Sequence, residues 1–166
     1  MLISTRVGTE TDVANVHKLN ESSLPAVNSL TANKLKTMIA RSALFQVVEL
    51  EQRFAGFVLT FLPNADYQSE NLRWFNQYYN DFLYLDRIAI ADFAKRSGCG
   101  SALYRQVENH CRENNISSIA LEVNIRPRNQ ASLDFHQAMG YVEVGRQETG
   151  GGEKMVSLMM KNINGN

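Results

Sequence analysis

The chain has 166 residues, a length that fits one domain able to bury roughly two-thirds of the surface its unfolded form exposes. Seventeen Lys and Arg residues balance seventeen Asp and Glu residues, so no long-range field attracts nucleic acid or an anionic membrane. We therefore expect no nucleic-acid partner, and any bound anion requires a local site.

The cysteines and the first residues carry further compositional information. Cys99 and Cys111 form no CxxC motif and have no histidine at a metal-ligand spacing, so we expect no metal site and a reducing compartment. Residues 1–6 lack the apolar core of a signal peptide, and no window approaches about 20 apolar residues. We expect a cytoplasmic protein with no membrane partner.

The first third of the chain contains both strand and helix patterns. In chain order, these patterns predict a strand at 2–7, a helix beginning after the N-cap-like residues 9–12, a helix at 32–41, and a hairpin of strands 45–50 and 54–61. The next segment, residues 63–80, has no clear period but is rich in aromatic residues, as a plain solvent loop would not be. We interpret it as a lid or a wall of a substrate site.

The second half begins with a strand, residues 82–90, that is apolar on both faces apart from Asp86 and Arg87 and therefore resembles a central strand. The remaining patterns predict an amphipathic helix from Ser101 to about Asn114, a strand at 119–124, a helix at 130–139, and strands at 141–147 and 155–161 around a flexible Gly150–Gly152. This order predicts a mixed sheet with helices on its faces.

The loop Lys95-Arg96-Ser97-Gly98-Cys99-Gly100 joins the central strand to the amphipathic helix. Unpaired N–H groups at a helix start can bind a pyrophosphate, and the two glycines allow close approach of the backbone. Alternatively, the glycines only form a turn and the two cations are ordinary surface residues. The sequence contains neither a GxxxxGK[ST] loop nor a GxGxxG fingerprint followed by an acidic residue.

This loop, placed after Ile88-Ala89-Ile90, resembles the acetyl-CoA loop of the GNAT-type N-acetyltransferases. Residues 129–141, NQASLDFHQAMGY, are similar to a second family motif, Asn-x-x-Ala-x-x-Phe-Tyr-x-x-x-Gly-Phe. The resemblance implies a single α/β (α+β) domain over residues 1–162, with a mixed, mostly antiparallel sheet of about six to seven strands and helices on both faces, followed by a short polar tail at 163–166.

The same resemblance implies direct acetyl transfer from acetyl-CoA to a primary amine, which could belong to a small molecule, an amino acid or a protein N-terminus. A homodimer is possible. The implied cofactor-binding residues are Ile88, Ala89, Ile90, Lys95, Arg96, Ser97, Gly98, Cys99, Gly100, Ser101, Asn129 and Ser132.

Three residues are catalytic candidates. His136 replaces the family tyrosine that often protonates the departing thiolate; it is either that acid or a structural residue at the cofactor edge. Glu122 resembles the basic carboxylate of the ribosomal-protein-alanine N-acetyltransferases, but lies two residues further from Asn129 than their pattern expects. Asp86 alternates with Tyr84 and Ile88, so it is expected on the same strand face as both, either binding the amine or pairing with a cation such as Arg87.

Two other functions fit the same sequence. One is a non-catalytic protein of this fold that binds or senses coenzyme A, because the expected tyrosine is absent. The other is an interaction module that presents the aromatic residues 74–79 to a partner.

Overall fold

The computed structural model describes residues 1–163. The seven strands are β1 (Ile3–Val7), β2 (Leu44–Leu50), β3 (Arg53–Phe61), β4 (Leu83–Ile90), β5 (Ser118–Arg126), β6 (Val142–Thr149) and β7 (Lys154–Asn162). The five α-helices are α1 (Val13–Ser22), α2 (Ala32–Arg41), α3 (Glu70–Tyr78), α4 (Cys99–Glu113) and α5 (Gln130–Ala138). The strands form one sheet in the order β1-β2-β3-β4-β5-β7-β6.

The sheet is mostly antiparallel, and its helices cover both faces. β4 and β5 form its parallel pair, whereas the other neighbouring strands run antiparallel. Buried apolar residues of α4 and α5 belong to one core cluster, and those of α1, α2 and α3 belong to a second. The predicted fold class is confirmed.

The two central strands, β4 and β5, separate soon after they begin. β4 and β5 pair only through Leu83 with Ile119 and Tyr84 with Ala120. On its other edge β4 stays paired with β3, although the register shifts so that Asp86 is an extra residue between two paired positions. A bulge of this kind bends and twists a strand. The two central strands therefore splay apart.

The bulge also corrects the predicted alternation along β4. Leu83 and Leu85 lie in the core cluster under α4, and Tyr84 lies in the opposite cluster. Beyond Asp86 the order reverses, because Ile88 and Ile90 pack on the α4 side and Ala89 on the other. Ile88 therefore does not share a face with Tyr84 as a regular strand would require, whereas Asp86, which accepts from Tyr67, still lies on the Tyr84 side.

Residues 63–80 contain a helix that the sequence patterns did not reveal. Ser69 caps the start of α3 by accepting a hydrogen bond from Leu72 N at 3.1 Å. The buried apolar residues of α3 are only Leu72 and Phe75. Two positions on a nine-residue helix give a weak periodic signal. The serine cap followed by an acidic first turn was the stronger local sign.

The remaining loops and the end of the described chain complete the domain. Ile163, the first residue of the predicted tail, is buried and donates its N–H to Ser117 O at 2.8 Å. Residues 164–166 of that tail lie outside the described residues. Among residues 1–163, no helix has both the length and the apolarity to cross a membrane, and no cluster of His, Cys, Asp and Glu could hold a metal ion.

Candidate active site

The splay between β4 and β5 opens a cleft of about 550 Å³. Tyr104, Ser132 and His136 line it from the α4 and α5 side. Tyr67, Tyr84 and Glu122 line it from the side of α1, α2 and α3. The cleft therefore has two ends, one on each face of the sheet, with different side-chain chemistry.

The loop before α4 is shaped to receive an anion. Gly98 is the N-cap residue of α4, with φ at 97°, and has no side chain to cap the helix, although Ser97 Oγ accepts from Cys99 N at 3.4 Å. Arg96 also has a positive φ, 61°. Uncapped N–H groups at the start of this 15-residue helix, together with the helix dipole, favour a phosphate. A Cβ on Gly98 would lie 3.4 Å from Ile3 Cδ1, so a larger residue there is both strained and confined.

The side chains of this loop differ in whether they can reach a bound ligand. Lys95 is exposed and pairs with Asp92 at 2.9 Å, and Arg96 and Ser101 are exposed. Cys99 is only 1% exposed and packs in the core, so only its backbone can reach a ligand. Ser97 Oγ donates to Ala94 O and lies 3.4 Å from Cys99 N.

Beyond Tyr84, no strand within residues 1–163 pairs with the edge of β4 that faces β5. Ile88, Ala89 and Ile90 are held on the opposite edge by residues 56–58 of β3. A free strand edge can exchange hydrogen bonds with an extended, amide-containing chain such as pantetheine. The three residues predicted to bind the cofactor through their backbone thus lie on a suitable edge.

Asn129 and Ser132 form the start of α5 and line the cleft. Asn129 Oδ1 caps the helix by accepting from Ser132 N at 3.2 Å. Its backbone N–H donates to Asn124 O at 3.0 Å, which ties the helix start to the end of β5. Both residues are positioned beside the splay, and their predicted contact with the cofactor stays a prediction.

Glu122 lies on β5 two residues beyond Ala120, which pairs with Tyr84 at the point where the two central strands separate. The Tyr84 hydroxyl donates to the carboxylate and lies 2.8 Å and 2.9 Å from its two oxygens. Burial, together with the nearby Asp86 carboxylate, raises the pKa of Glu122 to about 8. Its carboxyl group therefore exchanges a proton in the physiological range. Tyr84 is itself fully buried in the core, yet it lines the cleft.

Asp86 occupies the bulge and is held by two donors. Tyr67 OH donates to Oδ1 at 2.6 Å, and Arg87 Nε donates to Oδ2 at 2.6 Å. The side chains of Asp86 and Arg87 are only 4% and 6% exposed. Arg87 Nη1 also donates to Asn20 Oδ1 at 3.0 Å. This geometry favours the ion-pair interpretation of Asp86 over amine binding, because both carboxylate oxygens are engaged.

His136 lies on α5, buried and fully hydrogen-bonded. Its Nδ1 lies 2.7 Å from Ser132 O, and a carbonyl oxygen only accepts, so Nδ1 carries the proton. Nε2 then accepts from Tyr104 OH at 2.6 Å. Burial lowers the pKa of His136. A neutral imidazole whose Nε2 already accepts a hydrogen bond is poorly suited to protonate the departing thiolate. The geometry therefore favours a structural role for His136.

Sequence reasoning missed Tyr104 and Tyr67. Tyr104 lies on α4 and lines the cleft through a hydroxyl held by His136, 32 positions away in the chain. Tyr67 reaches Asp86 across 19 positions. No local pattern distinguishes either tyrosine from an ordinary core aromatic residue, although Tyr67 belongs to the segment predicted to form a substrate wall.

Comparisons with known proteins agree with this geometry. No curated protein sequence matches the chain. The Ard1 structure from Thermoplasma volcanium has a TM-score of 0.80 at 19% identity, covering 98% of both chains. The ribosomal-protein-S18-alanine N-acetyltransferase from Escherichia coli gives 0.76 at 15% identity, covering 99% of this chain and 96% of that one. The yncA protein from Salmonella typhimurium, solved with its cofactor acetyl-CoA, gives 0.72 at 14% identity, covering 99% and 95%.

These structural likenesses show a shared fold. The profile of the Acetyltransferase (GNAT) family matches residues 14–141, which include both β4 and the two motifs. The predicted cofactor, acetyl-CoA, is confirmed. The chain belongs to the acetyltransferase (GNAT) family and is an acetyl-CoA-dependent acyltransferase.

Proposed function

We propose that this protein is an N-acetyltransferase that passes the acetyl group directly to a primary amine, with Glu122 as the base. The observation that carries the proposal is the Glu122 carboxyl group, placed at the splay and bonded to Tyr84, with a pKa of about 8. Bound acetyl-CoA supplies a thioester whose carbonyl carbon accepts a nucleophile.

The raised pKa matters because the acceptor arrives as an ammonium with a pKa near 10. An ordinary glutamate lies about six pKa units below that ammonium, so proton transfer to it is strongly uphill. Glu122 at about 8 reduces the gap to about two units. The carboxylate can therefore accept the proton, directly or through water, and leave a neutral nucleophile.

On the opposite face, Tyr104 and His136 line the cleft beside α5. Tyr104 OH donates to His136 Nε2, and His136 is fixed by Ser132 O. This places a phenol hydroxyl, rather than an imidazolium, next to the cofactor motif. We assign to Tyr104 the hydrogen-bonding role at the leaving thiolate that the sequence suggested for His136: for that step its single O–H proton turns from His136 Nε2 to the sulfur.

Thiol release from acetyl-CoA in the presence of a panel of primary amines tests the function. Steady release with at least one amine, and mass-spectrometric detection of its amide, is expected. Binding of acetyl-CoA without release for any amine would favour the coenzyme-sensing alternative instead.

Glu122→Gln tests the base. It should lower kcat/KM on the order of 100-fold to 1000-fold, because the amide keeps the shape of the side chain but accepts no proton. The wild-type rate should rise with pH through an apparent pKa near 8, since only ionised Glu122 is the base, and the variant should lack that limb. Glu148→Gln, at an exposed glutamate of β6, is the control. If the rate of Glu122→Gln still rose with pH through an apparent pKa near 8, Glu122 would not be the base.

The cytoplasmic location and the homodimer stay predictions.

A further inference from the structure

The loop between α1 and α2 forms one wall of the cleft and is fastened to three strands. Its residues Ala26, Val27 and Asn28 line the cleft. Pro25 O accepts from Asn124 Nδ2 at 3.1 Å and from Lys154 Nζ at 3.0 Å. Asn28 O accepts from Arg87 Nη1 at 3.2 Å. The loop is thus held by β4, β5 and β7, across the opening between the splayed strands.

The opposite wall of the cleft, formed by residues 67–71, is fastened to the hairpin of β6 and β7. Residues 67–71, before and at the start of α3, line the cleft. Gln147 Nε2 on β6 donates to Glu70 O at 3.2 Å and to Asn71 Oδ1 at 3.1 Å. Lys154 Nζ, at the start of β7, completes the first wall by donating to Asn28 Oδ1 at 2.9 Å. Both walls are therefore tied to the β6–β7 hairpin, whose residues Thr149, Gly150, Glu153 and Lys154 also line the cleft.

The cleft lining carries more carboxyl groups than cations. The carboxyl groups belong to Glu70, Asp86, Glu122 and Glu153, and the cations to Arg87 and Lys154. Arg87 is neutralised by Asp86 at 2.6 Å. Lys154 uses two of its three N–H groups on the α1–α2 loop. Lys154 balances one carboxylate, so Glu70 and Glu153 together leave a negative charge even when Glu122 holds its proton. This end therefore attracts a cation and repels a carboxylate.

We propose that the acceptor is a compact primary amine without a neighbouring carboxylate, enclosed between the α1–α2 loop and the β6–β7 hairpin, and neither an amino acid nor the N-terminus of a polypeptide. This inference rests on the proposed N-acetyltransferase function. An amino acid brings its carboxylate beside Glu122, and a polypeptide needs an exit path that the two fastened walls obstruct.

Pairs of acceptors that differ by one carboxylate give the direct test: tyramine against tyrosine and cadaverine against lysine, together with short peptides that have a free α-amine. In each pair we expect kcat/KM to favour the amine by tenfold or more, and peptides to react more slowly than either amine. An amino acid equal to its amine, or a peptide faster than both amines, would overturn the inference while leaving the N-acetyltransferase function intact. Absence of thiol release with every acceptor would overturn both.

Two variants separate charge from enclosure. Glu70→Gln combined with Glu153→Gln should reduce the amine preference severalfold, whereas Glu148→Gln, outside the cleft lining, should preserve it. Asn124→Ala removes one loop contact without changing charge and should raise the peptide rate relative to tyramine. Asn33→Ala, on the exposed side of α2, should not. If neither the amine preference of the double glutamate variant nor the peptide-to-tyramine rate ratio of Asn124→Ala changed, the proposed basis of selectivity would be contradicted.

Discussion

The two ends of the cleft are built in different ways. The predicted cofactor end consists of consecutive residues, the end of β4, the loop and the start of α4, and it offers largely backbone N–H groups. The acceptor end brings together side chains that are distant in the chain: Tyr84 meets Glu122 across 38 positions, and Arg87 meets Asn20 across 67. A site made from contiguous backbone is legible in a sequence, whereas one made from long-range side-chain contacts is not.

The ends also differ in how they hold charge. Lys95 and Arg96 at the cofactor end are exposed, so their attraction for phosphate is screened by salt. Asp86, Arg87 and Glu122 at the acceptor end are enclosed by protein, where unpaired charge is costly. Substitutions at the first end should therefore affect binding, and those at the second should affect catalysis and stability.

The largest effect is expected for Gly98→Glu, which should weaken acetyl-CoA binding on the order of 1000-fold. The new carboxylate would lie where phosphate is predicted to bind, on a residue with φ at 97°. Isothermal calorimetry measures the loss. Gly98→Gln has the same bulk without the charge and should bind more tightly than Gly98→Glu. Wild-type affinity in a folded Gly98→Glu protein would show that the loop is only a turn.

Arg87→Met should lower the free energy of unfolding by about 3–5 kcal/mol, because it leaves the Asp86 carboxylate buried without its cation. Arg41→Met is the matched control, since Arg41 pairs with Asp66 at the surface and its loss should cost under about 1 kcal/mol. Urea denaturation measures both. Adding Asp86→Asn should restore part of the stability of Arg87→Met. Equal losses for the two arginine variants would contradict the structural role of the buried pair.

Tyr104→Phe and His136→Phe should each lower kcat about tenfold with little change in acetyl-CoA affinity. Because the two side chains share one hydrogen bond, the double variant should be little worse than either single one. Tyr141→Phe is the control: Tyr141 OH is buried without a hydrogen-bond partner among the described residues, so kcat should not fall. Normal turnover in Tyr104→Phe, with a low rate only in His136→Phe, would restore His136 as the acid.

The last prediction concerns the dependence of stability on pH. The pKa of Glu122 is raised from an ordinary 4.5 to about 8, so the folded state binds this proton more tightly than the unfolded state. The stabilisation is complete below pH 4.5 and is lost as the pH rises towards 8. The melting temperature of Glu122→Gln should therefore fall less between pH 5 and pH 8.5 than that of the wild type, as differential scanning fluorimetry can measure. If the melting temperatures of the wild type and Glu122→Gln changed equally with pH, the raised pKa of Glu122 would be contradicted.

Much of the fold follows from sequence patterns. The helix predicted at 32–41 is α2, and the predicted strands 45–50 and 54–61 correspond to β2 and β3 within one residue at each end. Helix α3 escaped prediction because it buries only Leu72 and Phe75 over nine residues. The alternation expected along β4 was wrong after Asp86, since one extra residue in a strand transfers every later side chain to the opposite face.

By itself, the sequence determined the family motifs, the sheet with helices on both faces, and the glycine-containing loop before α4 that is predicted to bind phosphate. These depend on local chemistry: glycines that permit positive φ, a helix start with free N–H groups, and periodic apolar residues. Only the tertiary structure decided that Glu122 meets Tyr84, that Asp86 is neutralised by Arg87, and that Tyr104 reaches the cleft through His136. Those contacts depend on the splay and bulge of β4, which bring together residues that no spacing in the chain relates.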